Sequence, residues 1–134
     1  MSQRPPIDEM CELYEMLKQR RRCYVLLVIG ASNSPPYQLR PVARDVAALL
    51  NTISPSDVTG DQYENVYISL IQTHLPRLAD ADLITYNPDR KLVAPGPELP
   101  TALVVLQTAW AAYEPTHAGT WPLGEVATVS HSGR

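Results

Sequence analysis

The apolar positions of the chain recur at helical spacing over most of its length. Met10, Leu13, Tyr14 and Leu17 stand at i, i+3, i+4 and i+7, one face of a helix. Asp8 can cap that helix, and Glu9, Glu12 and Glu15 suit its first turns. The pattern breaks at 18–20 and restarts. The string "RRRCYVLLVI" at 20–29 predicts a second helix, apolar nearly all round beyond Arg22 and therefore central and buried, with Gly30 as its stop. A loop at 32–36 follows. Leu39, Val42, Ala43, Val46, Ala47 and Leu50 then predict a compact amphipathic helix, in which Pro41 is tolerated only in the first turn. Ala43 and Ala47 are small enough to let a neighbouring helix come close. Residues 51–60 form a second loop, punctuated by Pro55 and Gly60.

Residues 61–78 carry the sharpest pattern. Stepped at about 100° per residue from Gln62, the side chains of Tyr63, Val66, Tyr67, Leu70, Ile71, His74 and Leu78 fall between roughly 40° and 180°, with Leu75 just past that arc at roughly 220°. Gln62, Asn65, Ser69, Gln72 and Thr73 fall on the opposite side. Each member of this stripe is polar, uncharged and able both to donate and to accept hydrogen bonds. Pro76 should kink or close the helix. Next, "LITYNPDRKLVAP" at 83–95 reads as a hairpin whose turn, "NPDR" at 87–90, uses the fixed φ of Pro88. Leu99, Leu103, Leu106, Trp110 and Tyr113 follow at spacings of 4, 3, 4 and 3, the seam of a helix that pairs with another. Residues 115–134 are rich in Gly, Ser, Thr, His and Pro and read as a flexible tail in which Trp121 alone is suited to dock.

This order of elements predicts a mainly α fold with a small β-hairpin wing. It is the layout of a winged helix-turn-helix domain at 7–96, followed by a C-terminal dimerisation helix at 97–114 and the tail. Three helices bury their apolar faces on one another, and the hairpin closes the open side. The polar stripe is then free to enter a DNA major groove, with the wing on the backbone or the minor groove.

Composition narrows the choice of function. With 134 residues the chain is long enough for one domain. Its net charge of −3 argues against nonspecific coating of nucleic acid, but not against a reader that gathers its few cations on one face. No apolar run approaches the roughly 20 residues of a membrane span and no signal peptide is visible, so the expected location is cytoplasmic, away from membrane. Cys11 and Cys23 form no CxxC and read as two reduced core residues. His74, His117 and His131 have no partner at metal-ligand spacing, so neither a metal nor a cofactor is expected. No nucleophilic set, carboxylate pair or Gly-rich phosphate loop is present, which argues against an enzyme.

Three strings carry a resemblance to a known family: "RRRCYVLLVI", "YISLIQTHLPRL" at 67–78 and "LITYNPDRKLV". Together they resemble the small winged-helix domains abundant in haloarchaea, largely uncharacterised proteins classed as transcriptional regulators. The resemblance covers roughly residues 8–95, and its most specific part is the string from His74 to Leu78. It implies an archaeal source and a role in transcription regulation. Where that family usually has Gly at the corner between helix and wing, this chain has Asp82, a residue that tolerates a left-handed backbone better than most.

The expected DNA contacts follow from the layout. Gln62, Asn65, Ser69, Gln72 and Thr73 are candidates for base readout, with Tyr63 at their edge on a phosphate; the plainer alternative is a solvated helix face. Arg40 and Arg44, one turn apart, suit phosphates unless Asp45 or another carboxylate pairs with them. Arg90 and Lys91 at the wing tip suit the backbone. Arg20, Arg21 and Arg22 are expected to pair locally with the acidic first helix. His74, within the apolar arc, reads as a hydrogen-bonded core residue. Two functions therefore stand side by side. One is a homodimeric, sequence-specific regulator bound to double-stranded DNA, paired through Leu99, Leu103, Leu106, Trp110 and Tyr113. The other is a winged helix that binds only protein.

Overall fold

The structure, a computed structural model, describes residues 6–117. The expectations placed on 118–134, Trp121 and His131 among them, lie outside the described residues. The fold is mainly helical, with a small three-stranded antiparallel sheet. Helix α1 (Pro6–Leu17) leads into α2 (Arg20–Ala31), and strand β1 (Tyr37–Gln38) leads directly into α3 (Leu39–Asn51). Helix α4 (Gly60–Ser69), a π turn (Leu70–His74) and α5 (Leu75–Asp80) run on as one rod. Strands β2 (Ile84–Asn87) and β3 (Leu92–Pro95) make the hairpin, and α6 (Leu99–His117) ends the described chain.

Helix α2 is the axis of the core. Val25 and Leu26 are fully buried, and Leu27, Val28 and Ile29 nearly so. Burial of each of these side chains contributes about 2 kcal/mol. Helix α3 turns Val42, Ala43, Val46 and Ala47 toward the core, and the two alanines, with no exposed surface, allow a close approach. Helix α4 starts on a capping box: Gln62 N–H donates to Thr59 Oγ1 at 3.2 Å, and Thr59 N–H donates to Gln62 Oε1 at 2.9 Å.

The π turn changes the phase of the rod. It inserts one extra residue into the helical count. At a constant 100° step, Leu75 would point away from Val66 and Arg77 toward it. In the structure Leu75 and Leu78 are fully buried and Arg77 is exposed. The turn thus keeps Leu75 and Leu78 on the same side of the rod as Val66 and Leu70, in one narrower apolar face.

Several details depart from the sequence expectations. Gly30 does not stop α2, which runs on to Ala31. A Cβ at Gly30 would lie 2.7 Å from Leu103 Cδ1, so this glycine makes room for α6. On α1, Leu13 and Leu17 pack against the core, but Met10 and Tyr14 are exposed. Cys11 is exposed and only Cys23 is partly covered, so the two are not a core pair. Strand β1 was not expected. It pairs with β3, giving the order β1-β3-β2, with Tyr37 and Tyr86 both opposite Val93. The C-terminal helix runs to His117 rather than ending at 114.

The corner between helix and wing does adopt the left-handed conformation, with Asp82 at φ 62°. Two backbone bonds hold it: Gly96 N–H to Leu83 O at 3.0 Å and Glu98 N–H to Asp82 O at 2.9 Å. From this corner α6 returns along the domain. Leu99 and Ala102 are buried, and Leu103 packs beside Gly30.

Candidate nucleic acid interface

Arg40 and Arg44 lie exposed on α3, one turn apart. The first turn of α3 is fastened to the tip of the wing, because Leu39 N–H donates to Lys91 O at 3.0 Å. The cations of α3 and those of the wing therefore border one surface. Arg44 stacks its guanidinium over the ring of Tyr63, 5.2 Å from the centroid. Tyr63 stacks in turn on Tyr67, with centroids 5.4 Å apart. Burial raises the phenol pKa of Tyr63, and the charges of Arg40 and Arg44 oppose that rise. The carboxyl of Asp45 is likewise raised by burial, with Arg44 acting against it. Among the described residues Arg40, Arg44 and Arg90 form no ion pair. The alternative that Asp45 pairs with an arginine of α3 is thus not realised.

The wing tip is built by Asn87, whose Oδ1 accepts from Arg90 N–H at 3.0 Å, and by Lys91, which takes a left-handed φ of 57°. Lys91 Nζ folds back to donate to Pro88 O at 2.7 Å, while Arg90 is exposed.

The polar stripe divides. Asn65, Gln72 and Thr73 are exposed. Gln62 and Ser69 are half-buried and occupied: Gln62 in the capping box, Ser69 by Arg21 Nη1, which donates to its Oγ at 2.7 Å. Both lie on the flank of α4 that faces α2, away from Tyr63. The outermost ridge of α4 is formed instead by Asp61, Glu64 and Ile68, at i, i+3 and i+7, with Ile68 43% exposed. Glu64 and Ile68 escaped the sequence reading because one continuous phase over 61–78 centres the polar side on the stripe.

The arginine run at 20–22 also departs from expectation. Among the described residues its side chains bond to a serine, a histidine and carbonyls, not to the carboxylates of α1. Arg20 Nη2 donates to Leu50 O at 3.2 Å. Arg22 is 6% exposed and donates through Nη1 to Glu15 O and Met16 O, closing the C-terminal end of α1. Its Nε donates to His74 Nδ1 at 3.2 Å. Burial, then the charges of Arg22, Arg21 and Arg77, lower the His74 pKa, so this imidazole is neutral. Its reading as a hydrogen-bonded core residue agrees with this geometry.

The seam read on the C-terminal helix is shared out in the same way. Leu99 and Leu103 pack on the domain's own core, Leu106 and Trp110 are half-buried, and Tyr113 is 62% exposed. No helix among the described residues is long and apolar enough to cross a membrane. Nor do three or more His, Cys, Asp or Glu side chains gather there as a metal site.

Residues 14–94 match the family described as a domain of unknown function, DUF7344. No curated protein and no solved structure matches the chain.

Proposed function

The chain belongs to the DUF7344 family, and we propose that it is a sequence-specific DNA-binding regulator of transcription of the winged helix-turn-helix kind. The observation that carries this reading is the joined basic surface: Arg40 and Arg44 on α3, tied through Leu39 to the wing tip that bears Arg90 and Lys91. Surface arginines without carboxylate partners suit phosphates, which position a protein on a duplex. Helix α4, joined to α3 where Arg44 lies over Tyr63, then meets the major groove.

Base readout falls to Asn65, Gln72 and Thr73, joined by Ile68 against a thymine methyl and Glu64 toward a cytosine amine. Gln62 and Ser69 serve this surface by holding the helix. A homodimer would pair through α6, on which Leu106 and Trp110 are half-buried and Tyr113 is 62% exposed. The resemblance to haloarchaeal winged-helix proteins supports the same role and a cytoplasmic location.

The alternative, a winged helix that binds protein, is favoured by one observation. Ile68 stands exposed on the same ridge as Asp61 and Glu64, an apolar point among acids that repel phosphate. A mobility-shift screen against genomic fragments separates the two. Retention of particular fragments by the natural chain, lost in Arg40→Ala/Arg44→Ala and in Arg90→Ala/Lys91→Ala, is expected. Failure to retain any fragment, or equal retention by both double variants, defeats the DNA reading.

A further inference from the structure

A groove of about 600 Å³ runs between the corner that joins α1 to α2 and the flank of α4. Lys18, Arg20, Arg21, Asn51, Gln62 and Asn65 stand along it, and no carboxylate lines it. Its size is that of a small-molecule site, and each of these six side chains carries N–H donors. Lys18 holds Glu15 at 3.2 Å, but each arginine commits only part of its five-donor fork. Helix α2 begins here with no acidic residue in its first turn and no side-chain cap from Gln19, so the positive end of its dipole opens onto the groove.

A second feature points to a ligand independently of these charges. His74 lines the groove and is 8% exposed. A guanidinium only donates, so the His74 Nδ1 that Arg22 addresses must be the acceptor and the ring proton sits on Nε2. Among the described residues that Nε2 donor has no partner. Nε2 is not one of the fully buried polar atoms, so it is reached from the groove and can donate to an anion seated there.

We propose that this groove binds a small phosphate-bearing molecule, with Arg20 and Arg21 holding the phosphate oxygens and His74 donating to them from Nε2. The site lies on the α2 side of α4, whereas Tyr63, Arg44 and the wing lie on the other. Asn65 borders both surfaces, but Arg20, Arg21 and His74 belong to the groove alone, so the site stands whether or not the chain reads DNA. A free ligand fits better than a duplex phosphate, because the deepest donor is nine-tenths buried and a rigid duplex backbone rides on the rim.

Inorganic pyrophosphate is the probe. Titration of the full chain by calorimetry should give saturable binding. Arg20→Gln and Arg21→Gln should each weaken it by about tenfold, the effect of losing one charge-assisted hydrogen bond. Arg77→Gln, a cation outside the groove, should leave it within about twofold. The His74 Nε2 resonance should shift as pyrophosphate is added. Arg20 is exposed, so its variant tests binding without disturbing the core, and circular dichroism checks that the fold is kept. Absence of saturable binding, an affinity in the Arg20 and Arg21 variants equal to that of the natural chain, or a still His74 resonance would overturn the site. So would displacement of pyrophosphate by duplex DNA, which would make the groove a seat for backbone phosphate.

Discussion

Gly96 sits where the wing returns to the helical body, and replacing it with alanine should be severe. A Cβ there would lie 2.5 Å from Asp82 O, 2.8 Å from Ile84 N and 2.8 Å from Leu83 C. All three neighbours are backbone, so no side chain can swing aside. Relief requires Asp82 to move, yet Asp82 is already left-handed and its carbonyl accepts from Glu98 N–H at 2.9 Å. Overpacking of this kind costs about 1–3 kcal/mol. Loosening the Gly96–Leu83 and Glu98–Asp82 bonds adds about 1 kcal/mol each. The expected loss is therefore about 3–5 kcal/mol, a large share of the roughly 5–15 kcal/mol that holds a domain folded. Urea unfolding of Gly96→Ala beside Gly60→Ala measures it. Gly60 stands at the start of α4 with nothing within 4 Å of its would-be Cβ, so alanine there should stabilise by about 0.5–1 kcal/mol. If Gly96→Ala unfolds within about 0.5 kcal/mol of the natural chain, the close approach is not a constraint and this reasoning fails.

Other substitutions test other joints. Thr59→Ala removes the Oγ1 that accepts from Gln62 N–H and should lower stability by about 1 kcal/mol in the same urea assay; no change would mean the capping box is idle. Stability should fall as pH drops below about 6.5, because burial and the arginines lower the pKa of native His74 and the unfolded chain takes the proton first. Above that pH the imidazole is neutral in both states and adds no slope. His74→Gln should flatten this part of the profile, and an unchanged slope would assign it elsewhere. Asp45, whose pKa is raised by burial, acts in the opposite sense and at lower pH: its contribution weakens as pH rises from the ordinary carboxylate value through the raised one. Sedimentation should give a dimer that Trp110→Ala/Tyr113→Ala dissociates, whereas a natural chain already monomeric at micromolar concentration rules out the pairing proposed for α6.

The helices were legible because their apolar spacing is local information. Val42, Ala43, Val46 and Ala47 declare a helix face wherever it ends up packing. The hairpin was legible through Pro88 and Asn87, residues with a definite turn chemistry. Strand β1 was not, since two residues have no period and exist as a strand only through β3. Gly30 misled for a similar reason: its purpose lies in Leu103, 73 residues on in the chain, and not in the local backbone. The site suffered most at the π turn. One helical phase applied from Gln62 to Leu78 fans a single narrow apolar face out into a broad arc, and so centres the polar side on Gln62 and Ser69 instead of on Glu64 and Ile68. No residue type announces a π turn, but the breadth of that arc was its trace.

The joined basic surface makes a quantitative demand on DNA binding. Four cations, Arg40, Arg44, Arg90 and Lys91, make up the surface proposed to meet DNA. If each neutralises one phosphate, log K against log salt should fall with a slope of about −3.6 per bound protomer. Fluorescence anisotropy of a retained genomic fragment, titrated over a range of salt, reads that slope directly. The account predicts about −3.6 for the natural chain and about −1.8 per protomer for Arg90→Ala/Lys91→Ala, with sequence preference kept. A slope that is the same in both proteins would contradict it.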